Sequence, residues 1–492
     1  MSSPALRFLP RVDVLADLLP SEFSHAERVR AARSALDDLR LVYQDVPFGA
    51  VGPEPIVAQA REAALKYLWS SSKPFPARAL NATGVIVHTG LGRSRLSQAA
   101  IEAVVQAARD GSALEVDVQS GARGRRDEVI AALLRQITGC EDATVVNNGA
   151  GGTVLSLAAL CAGGEVACSR GELVEIGGGF RMPEVMLQSG CLLREVGTTN
   201  KTRPGDYRQA LEGNPSARGI LKVHPSNFRI EGFTEEASVE ELAALARELS
   251  LPVVDDLGSG ALLDLAPWGL HGEPTVQSHV ASGADAVIFS GDKLLGGPQC
   301  GLICGQSAAI ERIRRHPLAR VLRCDKMTLA ALHATLLAYR DPSGNFARAR
   351  AEIPTLKALC EEASAVRKRA RQLKRRLEQA APKTAPKAAG SALDNFLPQR
   401  GASPERKWLA EVRPSRAQAG AGSLPARDLD SWSVVISLLD TRASIENLAR
   451  ELRQRGLWGR IEGNALWLDA RTLSEEDIGA AASAAGAALS KL

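Results

Sequence analysis

The sequence lacks the residue patterns of several common functional classes. Its 492 residues include eight cysteines but no Cys-x-x-Cys pair, and its seven histidines form neither His-x-x-x-His nor His-Glu-x-x-His. A zinc site therefore has little support, and we expect no metal centre. The Gly-x4-Gly-Lys-Ser/Thr loop of many nucleotide-binding enzymes is also missing.

Long apolar runs are missing as well. No run approaches the ~20 residues that a membrane-spanning helix needs, and residues 1–7 lack the layout of a secretory signal. The cysteines are scattered, which is typical of reduced, mostly buried thiols. We therefore expect a cytoplasmic protein without a membrane partner. The formal net charge of +4 is too small to indicate a nucleic-acid partner by itself.

The length favours roughly three domains. Residues 1–72 contain three apolar patterns with helical spacing, at 12–19, 26–43 and 56–69, and are interpreted as a helical module. Such a module either binds a partner or packs as an appendage. We place a catalytic α/β domain at 73–330 and a C-terminal α/β domain at 331–492.

Between residues 79 and 305, predicted strands alternate with predicted helices. This alternation indicates a mostly parallel sheet with helices on both faces. The predicted strands are 85–88, 143–146, 165–168, 192–195, 219–223, 252–254 and 286–289. Ligands of such sheets bind at the carboxyl ends of the strands. Polar, glycine-rich turns occur there at 147–153, 169–179, 224–232, 255–260 and 290–297.

The C-terminal region begins with a long helix near Thr328 and a strongly basic helix over 356–380. The basic helix is either a solvated face or an RNA contact. Residues 381–405 are rich in Ala, Pro, Lys, Gly and Ser and are predicted to form a flexible insertion. The remaining residues alternate again and predict a compact α/β lobe.

The segment Phe289–Pro298 carries the most specific chemical signal. It places Lys293 in a glycine-rich turn after an apolar strand, beside Asp292. A lysine there is either an exposed charge or an amine kept for Schiff-base chemistry with a carbonyl group or with pyridoxal phosphate (PLP).

The other turns supply what PLP requires of a protein. An acid at the pyridine nitrogen could be Asp255 or Asp256, both at a strand end. The turn Asn148-Gly149-Ala150 opens a predicted helix whose amides suit a phosphate, and Ser290 can donate to the same phosphate. Together these turns favour a PLP enzyme with Lys293 as its Schiff-base lysine.

Several segments resemble the bacterial L-seryl-tRNA(Sec) selenium transferases, the selenocysteine synthases. The resemblance covers nearly the whole chain and is most specific in its middle. The similar segments are Arg7–Asp13, Leu80–Arg93, Ser169–Gly178, Glu195–Asn200, His224–Ile230, Asp256–Gly260, Phe289–Pro298, His316–Lys326 and Gly459–Ile461. Asp256 matches the family's Asp-Leu-Gly-Ser-Gly better than Asp255 does, whereas the turn Asn-Asn-Gly-Ala-Gly-Gly departs from the family's third Asn.

The resemblance implies a PLP-dependent transferase of fold-type I. It implies conversion of L-seryl-tRNA(Sec) to L-selenocysteinyl-tRNA(Sec) through a dehydroalanyl-tRNA, with selenophosphate as the selenium donor. Lys293 would then be the base at Cα, and Asp292 the candidate acid for the leaving hydroxyl. His224 is a further candidate for cofactor binding. The candidates for holding selenophosphate are Arg93, Arg320 and Arg323.

The resemblance also implies that residues 1–72 bind the tRNA and that the protein forms a homo-oligomer. In the family this is a ring built from dimers, a decamer. Two alternatives stay open. A related PLP-dependent lyase or aldolase acting on a small amino acid or amino sugar would keep Lys293 but need no tRNA-binding module. A tRNA-binding protein without catalysis would not need Lys293, Asp256 and the arginines.

Overall fold

A computed structural model describes residues 4–43, 53–72, 75–341, 345–381, 407–439 and 443–491. The chain divides into two compact units, Met1–Ala79 and Leu80–Leu492. The predicted domain boundaries after residues 72 and 330 stay predictions. Except for Ala381, the predicted insertion at 381–405 lies outside the described residues. In the described part of the chain, no helix is long and apolar enough to cross a membrane.

The first unit is helical, as its apolar spacing predicts. Its helices are α1 (Val12–Asp17), α2 (His25–Tyr43) and α3 (Pro53–Ser72). Ser24 and Glu27 begin α2 with a reciprocal cap: the Ser24 amide donates to the Glu27 carboxylate over 2.8 Å, and the Glu27 amide donates to Ser24 Oγ over 3.4 Å. Leu36 of α2 and Ile56 of α3 belong to one buried apolar cluster, which holds this unit together.

The second unit contains the remaining elements. Its helices are α4 (Gln98–Arg109), α5 (Glu128–Thr138), α6 (Gly149–Cys161), α7 (Met182–Gln188), α8 (Pro204–Leu211), α9 (Val239–Leu249), α10 (Val276–Ala281), α11 (Ser307–Arg315), α12 (Pro317–Val321), α13 (Lys326–Ala338), α14 (Ala347–Glu352), α15 (Pro354–Cys360), α16 (Ala363–Ala380), α17 (Ile445–Gln454) and α18 (Asp477–Leu489). Its strands are β1 (Leu80–Asn81), β2 (Asp142–Val146), β3 (Glu165–Ser169), β4 (Glu175–Ile176), β5 (Phe180–Arg181), β6 (Leu192–Val196), β7 (Ala217–Val223), β8 (Val253–Gly258), β9 (Ala286–Ser290), β10 (Gly301–Gly305), β11 (Trp408–Gly420), β12 (Ser423–Leu438), β13 (Leu457–Trp458), β14 (Arg460–Glu462) and β15 (Ala465–Asp469).

The central sheet has seven strands in the order β2-β10-β9-β8-β7-β3-β6. β10 runs antiparallel to β2 and β9, while the β9-β8-β7-β3-β6 pairings are parallel. β9 and β10 are buried along their whole length, which explains their continuous apolar sequences. The carboxyl ends of the parallel strands therefore meet at one edge, where the predicted turns lie.

Three predicted elements differ from the observed ones. Residues 85–88 do not form a regular strand, because only Val85 makes a bridge, to Gln418. α6 starts at Gly149 rather than at Val154, because Asn148 caps the helix there. The helix then includes Gly152, which packs closely against Ile288 of the sheet. The predicted basic helix is divided into α15 and α16, with Glu361 and Glu362 between them.

The C-terminal lobe has a four-stranded antiparallel sheet, in the order β11-β12-β15-β14. Its β11–β12 hairpin extends to the central-sheet region. The amides of Ile86 and Val87 donate to the carbonyls of Gln418 and Ala419 over 2.9 and 2.8 Å. Leu424, at the hairpin tip, donates its amide to Glu273 Oε2 over 3.0 Å. This tip therefore forms part of the edge that carries the candidate site.

Candidate active site

Lys293 lies in the turn between β9 and β10, with its side chain buried. Backbone hydrogen bonds fix this turn, since the Gly291 amide donates to the Cys300 carbonyl over 2.9 Å. Ser94 Oγ lies 2.8 Å from the carbonyls of both Asp292 and Lys293. Burial lowers the pKa of Lys293, and the Asp256 carboxylate opposes that shift. Lys293 is therefore a buried amine in a fixed turn rather than an exposed turn lysine.

Asp256 lies at the carboxyl end of β8, on the side of Lys293. A Cβ built on Gly258 would be 3.7 Å from both Asp256 Oδ1 and Lys293 Nζ. Thr153 Oγ1 donates to Asp256 Oδ2 over 2.8 Å. Desolvation by burial raises the pKa of Asp256 to about 6, although Thr153 and Lys293 act in the opposite direction.

Asp255 points to the other face of the sheet, because successive side chains of a strand alternate. It is fully buried, and its Oδ2 lies 2.5 Å from Nδ1 of His279 on α10. The geometry therefore favours Asp256 over Asp255 as the acid beside Lys293.

The N-terminus of α6 forms a cradle next to Ser290. The Asn148 side chain caps the helix by accepting from the Gly151 amide over 2.7 Å. A Cβ on Gly149 would lie 2.6 Å from Ser290 Oγ, so only glycine allows this approach without displacement. Asn148, Gly149 and Ala150 all remain partly accessible. The first amides of a helix and the Ser290 hydroxyl suit a phosphate group.

Arg93 contacts Asp292 directly. Its Nη1 lies 3.1 and 3.0 Å from the two carboxylate oxygens of the buried Asp292. Arg93 has a φ of +61°, which is uncommon outside glycine and indicates a constrained loop. Among the described residues, Nε and Nη2 of Arg93 have no hydrogen-bond partner, so part of the guanidinium is available to a ligand.

The other predicted residues lie at different distances from this centre. The His224 amide donates to the Asp256 carbonyl over 3.0 Å, and burial lowers the pKa of its imidazole. Arg323 bridges the backbone of Val146, directly before the α6 cradle, while its exposed guanidinium lies 3.9 Å from Glu115. Arg320 is exposed on α12, and no described contact joins it to Lys293.

Three residues near the centre were missed by the sequence analysis. Thr153 lies one helical turn after Gly149, so its position on the cradle side of α6 could have been found from helical spacing. Ser259 lies within the predicted turn 255–260 but was not named as a site residue; its buried hydroxyl has no partner among the described residues. Glu273 comes near Lys293 only through tertiary structure, and no local pattern marks it.

The arrangement fits PLP better than a metal ion. The described residues contain no group of three or more potential metal ligands. They do provide a buried amine, a carboxylate beside it and a helix N-terminus that only glycine permits. His224 also keeps Nε2 buried without a partner in the described chain, so it is free to face a bound group.

Comparison with known proteins agrees with this geometry. The family model described as "SelA: L-seryl-tRNA selenium transferase" matches residues 79–396 and 387–474. The chain belongs to the L-seryl-tRNA selenium transferase family. It is 43% identical to the L-seryl-tRNA(Sec) selenium transferase of Methylocella silvestris, over 96% of both chains. The Nitratidesulfovibrio vulgaris relative is 42% identical over 98% of both. The Salmonella typhimurium relative is 44% identical over 93% of this chain and 92% of its own.

Membership of the selenium transferase family confirms the predicted enzyme class and its PLP cofactor. The solved structure of D-glucosaminate-6-phosphate ammonia-lyase has a TM-score of 0.54 and 18% identity, and the match covers 86% of this chain and 98% of that chain. At this identity the likeness shows the fold alone. It confirms the predicted fold-type I architecture, and it does not favour the lyase alternative.

Proposed function

We propose that this selenium transferase converts L-seryl-tRNA(Sec) to L-selenocysteinyl-tRNA(Sec) with selenophosphate as the selenium donor, and that Lys293 is its central residue. The supporting observation is the buried Lys293 amine beside Asp256 and the α6 cradle, in a chain of this family. When bound, PLP supplies an electron sink for charge that develops at the substrate Cα.

Asp256 and the α6 cradle would hold the cofactor. Burial disfavours the ionised Asp256 carboxylate, and a positive charge on the pyridine nitrogen would offset that cost. The negative carboxylate would in turn keep a proton on the pyridine nitrogen. The amides of Gly149 and Ala150, together with Ser290 Oγ, would bind the phosphate. Nε2 of His224 would face the ring.

Lys293 would move the proton of the first step. Because burial lowers its pKa, a larger fraction of Nζ is unprotonated near neutral pH and can accept the proton from the seryl Cα. Its fixed turn would keep Nζ at one position relative to Asp256 during this transfer. Loss of the seryl hydroxyl then requires a proton at the departing oxygen.

Asp292 and Arg93 would act as a pair at that stage. Arg93 uses one nitrogen for Asp292 and keeps Nε and Nη2 for the oxygens of selenophosphate. Once the guanidinium turns to this anion, the Asp292 carboxylate would be free to take the proton that Lys293 removed from Cα and to pass it to the leaving hydroxyl oxygen, which departs as water. Arg323, beside the cradle, and the exposed Arg320 would add positive charge for selenophosphate.

Residues 1–72 would bind the tRNA. In support, α2 exposes Arg30, Arg33 and Arg40 on the face opposite its apolar contacts. We further propose a cytoplasmic homo-oligomer, a ring of dimers with ten subunits, on the basis of the family resemblance. Deleting residues 1–72 should abolish tRNA(Sec) binding and leave the yellow cofactor colour; unchanged tRNA binding would remove this role from the module.

The cofactor assignment can be tested by borohydride reduction. The purified protein should be yellow, and reduction should fix the cofactor to the peptide that contains Lys293. Lys293→Ala should carry no fixed cofactor, while the control Lys326→Ala, on α13, should be labelled like the wild type. A colourless protein with Lys293 intact, or a label on another peptide, would contradict the assignment.

A further inference from the structure

A cavity of about 430 Å³ lies beside the cofactor residues. Its wall comes from the turns after β3, β6 and β7, from residues 271–273 and from the tip of the β11–β12 hairpin. It shares His224 with the predicted cofactor residues, whereas Lys293 is not part of its wall. Its size is that of a small-ligand pocket, and its position places any ligand next to the reaction centre.

Several charges in this wall are already paired within the protein. Glu172 is buried and lies 2.7 Å from Nζ of the buried Lys222, and Glu235 lies 2.8 Å from Arg203. Lys201 and Arg427 also belong to the wall. Lys201 interacts electrostatically with Glu235, whereas no ion pair of Arg427 is found among the described residues, so Arg427 is the cation available to an anionic group of a ligand.

Glu273 offers an unused acceptor in the same wall. It is only 8% exposed, and its Oε2 accepts the Leu424 amide over 3.0 Å. Its Oε1 is buried without a partner in the described chain, as is Nε2 of His224. Because a buried polar atom without a partner is costly, this carboxylate oxygen suits a ligand that carries a hydrogen-bond donor.

Phe228 adds an aromatic surface to the wall. It remains 36% exposed even though its loop lies at the carboxyl end of β7. Ile230 and Pro425 provide further apolar surface nearby. An exposed aromatic ring beside a cationic side chain and a buried acceptor matches the needs of a nucleotide: a face for the base, a positive charge for the phosphate and an acceptor for an amine or hydroxyl.

We propose that this cavity binds the 3′-terminal adenosine of the tRNA substrate, with Phe228 stacking on the base and Glu273 accepting from an adenosine amine or hydroxyl. The inference rests on the proposed function, because the seryl group is esterified to the ribose of that nucleoside. The serine can reach Lys293 only if the adenosine lies directly beside the cofactor residues. Arg427 would contact its 5′ phosphate.

The test measures the affinity of the full-length holoenzyme for two deacylated tRNA(Sec) probes, one intact and one lacking the terminal adenosine. The wild type should bind the intact tRNA more tightly. Phe228→Ala and Glu273→Gln should each weaken binding of the intact tRNA by about 10- to 100-fold and leave the shortened tRNA unaffected. Glu273→Gln keeps an oxygen for the Leu424 amide, and Phe228 is partly exposed, so both variants should fold.

Glu240→Gln, an exposed substitution on α9, is the matched control and should bind both probes like the wild type. The inference is overturned if both variants weaken the two probes equally, or if both retain the full preference for the intact tRNA. Conversion of seryl-tRNA by the wild type is measured separately. No conversion would refute the proposed function. Normal conversion by the wild type, together with variants that bind the two probes in the same ratio as the wild type does, would refute this inference alone.

Discussion

Replacing Asp256 by asparagine should stabilise the cofactor-free protein at neutral pH while weakening its hold on PLP. Desolvation raises the pKa of the Asp256 carboxyl to about 6 in the folded protein, from 3.8 in the unfolded chain. A folded-state pKa above the unfolded one means that the wild type loses stability as the pH rises from about 4 to about 6. The amide introduced by Asp256→Asn does not titrate, and its oxygen can still accept from Thr153 Oγ1.

The size of the effect follows from the two pKa values. The charged carboxylate costs about 0.5 kcal/mol at pH 4 and about 3 kcal/mol at pH 7, since one pKa unit corresponds to about 1.4 kcal/mol. Between pH 4 and pH 7, the free energy of unfolding of the variant should therefore rise by about 2.5 kcal/mol relative to that of the wild type. For a unit of roughly 400 residues, this equals a relative rise of about 2–3 °C in Tm.

The assay is thermal unfolding of both cofactor-free proteins between pH 4 and pH 8, repeated with saturating PLP. The difference in Tm should grow as the pH rises from about 4 to about 6 and level off above that. With PLP the order should reverse, because the protonated ring nitrogen compensates the carboxylate of the wild type only. A difference in Tm that is independent of pH would refute the reasoning that Asp256 carries this desolvation cost.

Three further predictions concern other parts of the site. Gly149→Ala should weaken PLP binding about 10-fold in an absorbance titration, because its Cβ would lie 2.6 Å from Ser290 Oγ, whereas Gly177→Ala, which has open space, should not; equal affinities would contradict the cradle. Lys222→Met should lower the free energy of unfolding by about 3–5 kcal/mol, because it leaves Glu172 buried without its partner. Adding Glu172→Gln should recover part of that loss in the same denaturant assay. Arg93→Lys should keep the cofactor spectrum but raise the KM for selenophosphate about 10-fold or more, because lysine lacks the forked donors; an unchanged KM would assign selenophosphate to other residues.

The parallel part of the sheet could be predicted because its strands are short, buried apolar runs. β3 and β9, for example, are buried along nearly their whole length. β11 and β12 were largely missed, because long stretches of both carry polar residues: Arg416 and Asp430 are exposed, while Ser431 and Ser433 are buried and hydrogen-bonded to Asp469. Residues 85–88 were predicted as a strand for the opposite reason: three of the four are apolar, but their only β-pairing with the hairpin is an isolated bridge, at Gln418.

The site could be predicted where its residues follow strand ends, as for Lys293 and Asp256. The choice between Asp255 and Asp256 required knowledge of which sheet face carries the α6 cradle, and only the structure supplies this. Glu273 could not be predicted, because its neighbours in the site come from distant segments: Leu424 in the hairpin tip and Lys293 after β9. The roles of Arg320 and Arg323 remain predictions.

The pairing of β2 has a consequence for synthesis on the ribosome. Among the described strands, β2 pairs only with β10. Val146 therefore has no sheet neighbour until Gly301 has been translated. The cradle that follows β2 is therefore translated long before the lysine turn, which lies between β9 and β10. A nascent chain that stops before β9 holds an unpaired β2 edge and the α6 cradle, but it lacks both Ser290 and Lys293. PLP can stabilise this protein only late in translation, when most of the catalytic region has already left the ribosome.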